Sequence, residues 1–427
     1  MKRKLRNWEK TLCGVMTAVL LSAGGFMGVQ NFMPKERAIT IVDDTSSSSA
    51  VNGIEENAAA VSKTVPASAD SMKIKAKSAV LIDGSSGKVL FAQNERKHLP
   101  PASVTKVMTL LLIMEACDSG KISLDDKVTV SDRAAGMGGS QMYMESGEQH
   151  TVKELLKGVI MVSANDGCVA LAEHLSGSVE SFVDAMNEKA SQMGLRDSHF
   201  VNTNGLPVAD HYSCAYDIGM ISKELMCYDE THEWFTAWQE DIKVGLPGKQ
   251  KKFTLTNTNK LIRSYNGAIG VKTGFTQDAG YCLSGAAERD DTRFIAVVLG
   301  CKTSDIRFAE MRRLLDYGFA NYETVKVAQK GEKIKQIKID KGDVERIFAV
   351  ADTDVGLTVK KGAGKNVKTK KIIDGSLTAN IKKGQKIGSL VVYDGKEKAA
   401  EFDLVSDREV KPAGLMTIYI RMMKKLV

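Results

Sequence analysis

The sequence predicts an α+β fold, an antiparallel sheet packed with helices, followed by a small all-β C-terminal domain. Two observations carry this. Between residues 79 and 299, apolar runs of strand length enclose stretches whose apolar residues recur at the 3.6 period of helices. Between residues 323 and 408 short apolar runs alternate with Lys-Gly and Asp-Gly turns. A length of 427 residues allows about three domains. Setting aside an export segment and a spacer leaves two.

Residues 1–33 read as a signal peptide or N-terminal membrane segment. Lys2, Arg3, Lys4, Arg6 and Lys10 precede an apolar stretch from Leu12 to Val29, the layout of a secretory signal. No clean A-x-A site follows, so cleavage and retention as an anchor both stay open, and Lys10-Thr11-Leu12 before Cys13 is a poor lipobox. Residues 34–72 form a flexible linker: Asp43-Asp44, Ser46 to Ser49 and Ala58 to Ala60 cannot build a core.

Residues 73–322 form the first folded domain. Ala79-Val80-Leu81-Ile82 and Val89-Leu90-Phe91 flank Asp83-Gly84 and Gly87, a hairpin signature. Pro100-Pro101-Ala102-Ser103 runs into Val104, Met108, Leu110, Leu111, Ile113 and Met114, so Ser103 opens a helix that ends near Gly120. Thr151 and Glu154 form a capping box ahead of Leu155, Leu156, Val159, Ile160 and Val162, predicting a helix that ends at Ser163. Another begins with Val169, Ala170, Leu171 and Ala172, which places Ser163 and Asn165 in a tight connection. Residues 268–276 and 280–287 read as two antiparallel strands. Phe294 to Leu299 adds a third, followed by a helix through Ile306, Met311, Leu314 and Leu315. Residues 323–408 are the β-rich domain, with strands such as 347–350 and 387–392. Residues 409–427 form an amphipathic tail whose Thr417, Arg421, Lys424 and Lys425 gather in one polar stripe without an acid, the pattern of a helix lying on anionic lipid.

Three strings in this frame point to serine acyl transfer: Ser103-Val104-Thr105-Lys106, Ser163-Ala164-Asn165 and Lys272-Thr273-Gly274. Each is weak alone. Ser85-Ser86-Gly87-Lys88 also spells S-x-x-K but falls in the hairpin turn, and Ser264-Tyr265-Asn266 spells S-x-N but follows no predicted helix. Context separates the functional copies. Lys106 lies three residues after Ser103 and shares its helix face. As a neutral amine it can take the hydroxyl proton, provided burial or a nearby cation, for which Lys272 is a candidate, lowers its pKa. The helix N-terminus offers N–H groups to an oxyanion. Glycines in 268–276 allow another backbone to approach, which suits a strand that pairs with an extended peptide whose carboxylate meets Lys272.

With these strings, and with Gly138-Gly139-Ser140-Gln141, Asn204-Gly205-Leu206, the run from His211 to Asp217 and Asn257-Thr258-Asn259-Lys260-Leu261, the chain resembles the penicillin-binding serine D-alanyl-D-alanine carboxypeptidases over residues 73 to 420. The resemblance implies the penicillin-binding/serine β-lactamase-like transpeptidase domain. Ser103 is then the acylated nucleophile, Lys106 its base and Ser163 a proton relay. Asn165 positions the substrate amide, and Lys272 and Thr273 hold the terminal carboxylate. Gly274 lies in the substrate strand, and the backbone N–H groups of Ser103 and Phe275 form the oxyanion hole. Peptidoglycan stem peptides are the implied substrates and β-lactams the implied inhibitors, at the outer face of a bacterial cytoplasmic membrane.

Neighbouring readings are weaker. A class A β-lactamase carries Asp inside S-D-N and an added Glu for deacylation, whereas this chain has Ala164 and no Glu-x-x-x-Asn between the second and third strings. All six transferred side chains are present, which argues against an inert wall-binding or sensor homologue. The six histidines show no zinc-ligand spacing, so no metal or other cofactor is called. A net charge of +7 without basic clusters interleaved with aromatics excludes a nucleic-acid partner as the main reading. Of seven cysteines, the six beyond Cys13 form no disulfide framework and read as small buried residues.

Overall fold

A computed structural model describes residues 72–373 and 377–426; the export and spacer expectations lie outside the described residues. Strands β1 (Ser78–Asp83) and β2 (Val89–Gln93) form the expected hairpin, with Leu81 opposite Phe91. Its turn consumes the false S-x-x-K string. The Asp83 carboxylate accepts from Ser86 N at 2.7 Å and Ser86 Oγ at 2.5 Å, and Gly87 takes φ +75°.

A 3-10 turn, Ala102–Thr105, then feeds α1 (Lys106–Asp118). The short strands β3 (Lys127–Thr129) and β4 (Gln149–Thr151) pair around α2 (Asp132–Ala135). Helices α3 (Val152–Met161), α4 (Asn165–Ser176), α5 (Val179–Gln192), α6 (Ala215–Leu225) and α7 (Glu230–Thr236) follow. Next come the hairpin β5 (Gln239–Val244) and β6 (Lys251–Thr256), the single turn α8 (Leu261–Ser264), strands β7 (Ala268–Thr276), β8 (Gly280–Arg289) and β9 (Thr292–Cys301), and α9 (Ser304–Asn321).

The central sheet runs β2-β1-β9-β8-β7, antiparallel throughout, with β7 on an open edge. Its inner strands β1, β9 and β8 are largely buried on both faces, which explains their apolar runs. Val80, Ile82, Ile295 and Val297 face the core shared with α1, α3, α4 and α6, while Ala79, Leu81, Phe294 and Val298 face the core under α9. Each fully buried aliphatic side chain contributes about 1.5–3 kcal/mol against exposure, and this two-sided core holds β7 and the Ser103 turn in register.

The capping box forms as the sequence predicts. Thr151 Oγ1 accepts from Glu154 N at 3.0 Å, and Glu154 Oε2 accepts from Thr151 N at 2.8 Å. Helix α3 ends at Met161, however, so Ser163 stands outside it, and α4 starts at Asn165. Only 162–164 form the connection, and Asn165 belongs to a helix's first turn. The Ser264 string also departs from expectation, because it ends the single turn α8. Ser264 Oγ donates to Lys260 O, a local helical bond.

The β-rich region contains β10 (Tyr322–Ala328), β11 (Lys333–Asp340), β12 (Arg346–Ala351), β13 (Val355–Lys360), β14 (Val367–Ile373), β15 (Leu377–Thr378), β16 (Lys386–Asp394) and β17 (Glu397–Ser406). A six-stranded sheet runs β14-β16-β17-β12-β11-β15, and β10 pairs with β13. Ile347, Leu357, Ile387 and Leu404 lie in its own core. Thr358 Oγ1 donates to Asp83 Oδ1 at 2.5 Å and Thr324 N donates to Thr292 Oγ1 at 3.0 Å, tying it to the central sheet.

Helix α10 (Leu415–Leu426) ends the chain's described part, with Leu415, Met416, Ile418 and Tyr419 exposed. Arg421 does not stand free on the predicted polar stripe. It donates to Gly342 O and Asp343 O at 2.6 and 3.0 Å and pairs with Glu345. No helix among the described residues is long and apolar enough to cross a membrane.

Candidate active site

Two non-glycine residues in left-handed backbone mark the site. Ala102, just before Ser103, has φ +50°, and Ser163 has φ +64°. Such conformations cost of order 1–3 kcal/mol and persist where surrounding structure fixes them. At Ala102 two close approaches do so. A Cβ on Gly274 would sit 3.0 Å from the backbone nitrogens of both Ser103 and Val104, and one on Gly205 would sit 1.8 Å from Ala102 O. Glycine at both positions lets β7 and the loop after Asn204 close on the turn that carries Ser103.

Lys106 is the centre of the arrangement. It is fully buried, and its Nζ lies 3.1 Å from Ser103 Oγ, 2.7 Å from Asn165 Oδ1 and 2.8 Å from Asn204 O. An ammonium can donate to all three. A neutral amine has two hydrogens, and the two carbonyl oxygens accept only, so they take both and turn the remaining lone pair towards the Ser103 hydroxyl. Burial pulls the amine down to about 8, against the opposing fields of Cys168 and Asp166.

Asn165 is itself held. Its Nδ2 donates to Gly138 O and its backbone N to Ser140 O, both at 2.7 Å. Its neighbour Asp166 accepts from Met142 N at 2.9 and 3.1 Å, fixing the same loop from below. Ser163 differs from all of these. Its hydroxyl is buried and has no hydrogen-bond partner among the described residues.

Opposite these helices, β7 supplies Lys272, 1 % exposed, whose Nζ reaches only the carbonyl of Thr273 at 3.1 Å among the described residues. Burial, then the fields of Lys106 and Arg307, hold this amine well below the usual lysine range. The expected influence of Lys272 on Lys106 is therefore secondary, because desolvation dominates at Lys106. Thr273 Oγ1 shares a hydrogen bond with Thr258 Oγ1 at 2.7 Å. Phe275 is half exposed, its ring 4.3 Å from that of Tyr281.

All eight predicted positions thus gather where the Ser103 turn, the α3–α4 connection and β7 meet. Other contributors carried no assigned role in the sequence reading. Asn204 offers only its carbonyl, which no side-chain pattern reveals. Arg307 of α9 is buried and donates to Gly274 O and Cys282 O at 3.2 and 3.3 Å; its spacing gives no signal, because Ser304 and buried Glu310 share its helix face. His211 Nδ1 accepts from Val201 N, so its Nε2–H donates to Thr105 Oγ1 at 2.8 Å, and burial pushes the ring down to about 4, leaving it neutral.

Asp197, Cys214 and Asp217 lie within 4.8 Å of one another, the one such group among the described residues. Arg96 and His98 already engage Asp197, Ser198 engages Asp217, and burial pushes the Cys214 thiol up to about 12. This donor set does not suit a metal. The six described cysteines are unpaired; Cys168, Cys214, Cys282 and Cys301 are buried as expected, but Cys227 is exposed.

Comparison with known proteins agrees with this geometry. The family profile of D-alanyl-D-alanine carboxypeptidase matches residues 63–303, and that of the penicillin-binding protein 5 C-terminal domain matches residues 322–412. D-alanyl-D-alanine carboxypeptidase DacF of Bacillus subtilis is 42 % identical over 350 residues, covering 82 % of this chain and 89 % of that protein. DacC of Escherichia coli is 36 % identical over 74 % of this chain and 80 % of its own length. Penicillin binding protein 5 from Haemophilus influenzae superposes with a TM-score of 0.62 at 33 % identity, over 80 % of this chain and 98 % of that one. The Ser103 turn, a buried lysine and an open-edge strand arranged in this way, on a sequence with these relatives, place the chain in the peptidase S11 family of D-alanyl-D-alanine carboxypeptidases.

Proposed function

We propose that the chain is a serine D-alanyl-D-alanine carboxypeptidase that removes the terminal D-alanine from peptidoglycan pentapeptide stems through a Ser103 acyl-enzyme. One observation carries the mechanism: a buried amine whose two carbonyl partners leave its lone pair for the Ser103 hydroxyl. The stem peptide lies along the open edge of β7, its carboxylate on Lys272 and Thr273. That contact favours the charged form of the Lys272 amine and orients the scissile carbonyl towards Ser103.

Ser103 Oγ attacks the carbonyl carbon as its proton passes to Lys106. The oxyanion is met by the N–H groups of Ser103 and Phe275. Collapse breaks the C–N bond, and the proton reaches the departing amine by way of Ser163, whose unpartnered hydroxyl is suited to relay it. D-Alanine leaves. Water then attacks the ester, Lys106 accepting its proton, and the shortened peptide is released while Ser103 regains its hydrogen. A β-lactam that mimics the D-alanyl-D-alanine end acylates the same oxygen.

Peptidoglycan as substrate requires action outside the cytoplasm, which agrees with the export signal read at residues 1–33. Tail α10, with its exposed Leu415, Met416, Ile418 and Tyr419, rests on the membrane surface in this reading. Incubation with a pentapeptide ending in D-Ala-D-Ala should release D-alanine from the wild type and none from Ser103→Ala. Release that survives the substitution overturns the mechanism.

A further inference from the structure

We propose that the cavity beside the nucleophile turn is the subsite for the third residue of the stem peptide, a diamino acid whose aliphatic side chain lies on its apolar wall and whose terminal ammonium meets Asp278. This rests on the carboxypeptidase reading and adds a determinant of which stems the enzyme prefers.

The cavity measures about 370 Å³. Ala102 lines it on the nucleophile side, Leu206, Pro207 and Val208 come from the loop after Gly205, and Thr276 and Asp278 come from the end of β7 and the turn beyond. Leu206 and Val208 are 37 % and 47 % exposed, so this wall is open to an incoming apolar group.

Chain direction places the third residue here. The carboxylate sits at Lys272 and Thr273, and the scissile carbonyl at Phe275. The substrate therefore runs antiparallel to β7, and successive residues advance about 3.4 Å along it. The residue upstream of the scissile alanine comes level with 276–278. Strand β7 is an edge, so this side is free to receive it.

Charge then selects the side chain. Asp278 is the single acid lining the cavity, and no lysine or arginine lines it. Among the described residues its exposed carboxylate has neither an ion pair nor a hydrogen bond. The other titratable group is His211, whose two ring nitrogens are already engaged by Val201 N and Thr105 Oγ1 and which stays neutral. An apolar wall ending at an unpaired carboxylate fits a methylene stem with a terminal cation, and repels an anionic end.

The test uses two pentapeptides ending in D-Ala-D-Ala that differ only at the third residue, lysine in one and Nε-acetyllysine in the other. D-Alanine release gives kcat/KM for each. The full chain should favour the free amine by about two- to five-fold, the range of a partly exposed ion pair. The ratio should fall to one in Asp278→Asn and persist in Asp278→Glu. Because the two rates are compared within each enzyme, any general loss cancels. A ratio of one in the wild type, or a preference that survives in Asp278→Asn, overturns the subsite alone. Release from neither peptide overturns the carboxypeptidase reading and the subsite with it.

Discussion

Ser163 and the lysine pair hold the proposed chemistry at the scale of single residues. Ser163 Oγ is buried without a partner, a state that costs roughly 1–3 kcal/mol for a polar group and is retained here beside the proposed leaving group. Ser163→Ala should lower kcat by at least about 100-fold, as expected for loss of a proton relay, while thermal melting stays level or rises. Equal losses in both would make Ser163 a structural residue. Protons on the lysines give a second prediction. Burial pulls Lys106 to about 8 and holds Lys272 well below the usual lysine range, so the pair, titrating together, gives up its last proton near 8. A bound carboxylate draws it to Lys272 and frees the Lys106 lone pair. The free enzyme therefore loses its productive form as pH rises through about 8, where the last proton leaves, and again in acid, where a second binds. Accordingly kcat/KM should be bell-shaped with its alkaline limb near 8. In the loaded enzyme the carboxylate holds the Lys272 proton, so kcat should persist above that limb. A kcat/KM that keeps climbing past about pH 9 contradicts this account of the pair.

Elements bring these residues together by backbone contact more than by side-chain packing. Gly274 allows β7 to lie against the Ser103 turn, and a methyl group there must displace either the strand or the turn. Gly274→Ala should cost about 1–3 kcal/mol in stability and, by moving the carboxylate site relative to the nucleophile, at least tenfold in acylation by a labelled penicillin. Unchanged acylation would show that the contact does not set the site. Element identity was legible in the sequence wherever period and chemistry agreed: the 79–91 hairpin, the Thr151 capping box and the paired strands expected at 268–276 and 280–287 all form. The limits of α3 and α4 were less so. Val162 continues the apolar period, yet left-handed Ser163 stops the helix, and a backbone torsion leaves no mark in hydrophobic spacing. Carbonyl contacts such as Asn204 O on Lys106 escape for the same reason, since every residue carries a carbonyl.

At the scale of the whole molecule, the β-rich region supplies no proposed catalytic group and instead carries α10. Arg421 binds this helix back to Gly342, Asp343 and Glu345, which leaves Leu415, Met416, Ile418 and Tyr419 outward. The amphipathic pattern was visible in sequence. That one of its cations serves the protein itself was not, because helix spacing cannot reveal a partner about 79 residues away. In a chain lacking residues 1–33, α10 should sediment with vesicles containing anionic lipid, and deletion of 413–427 should abolish this; binding that survives the deletion places the membrane contact elsewhere. Both the tail and the edge of β7 matter only if the centre they serve turns over by acyl transfer. Mass spectrometry of the enzyme quenched during turnover of a D-Ala-D-Ala peptide tests that directly. The peptide containing Ser103 should carry the acyl group of the stem minus one D-alanine, with one free D-alanine released per acyl-enzyme formed. D-Alanine release with Ser103 unmodified throughout, or with the acyl group on another residue, would contradict it.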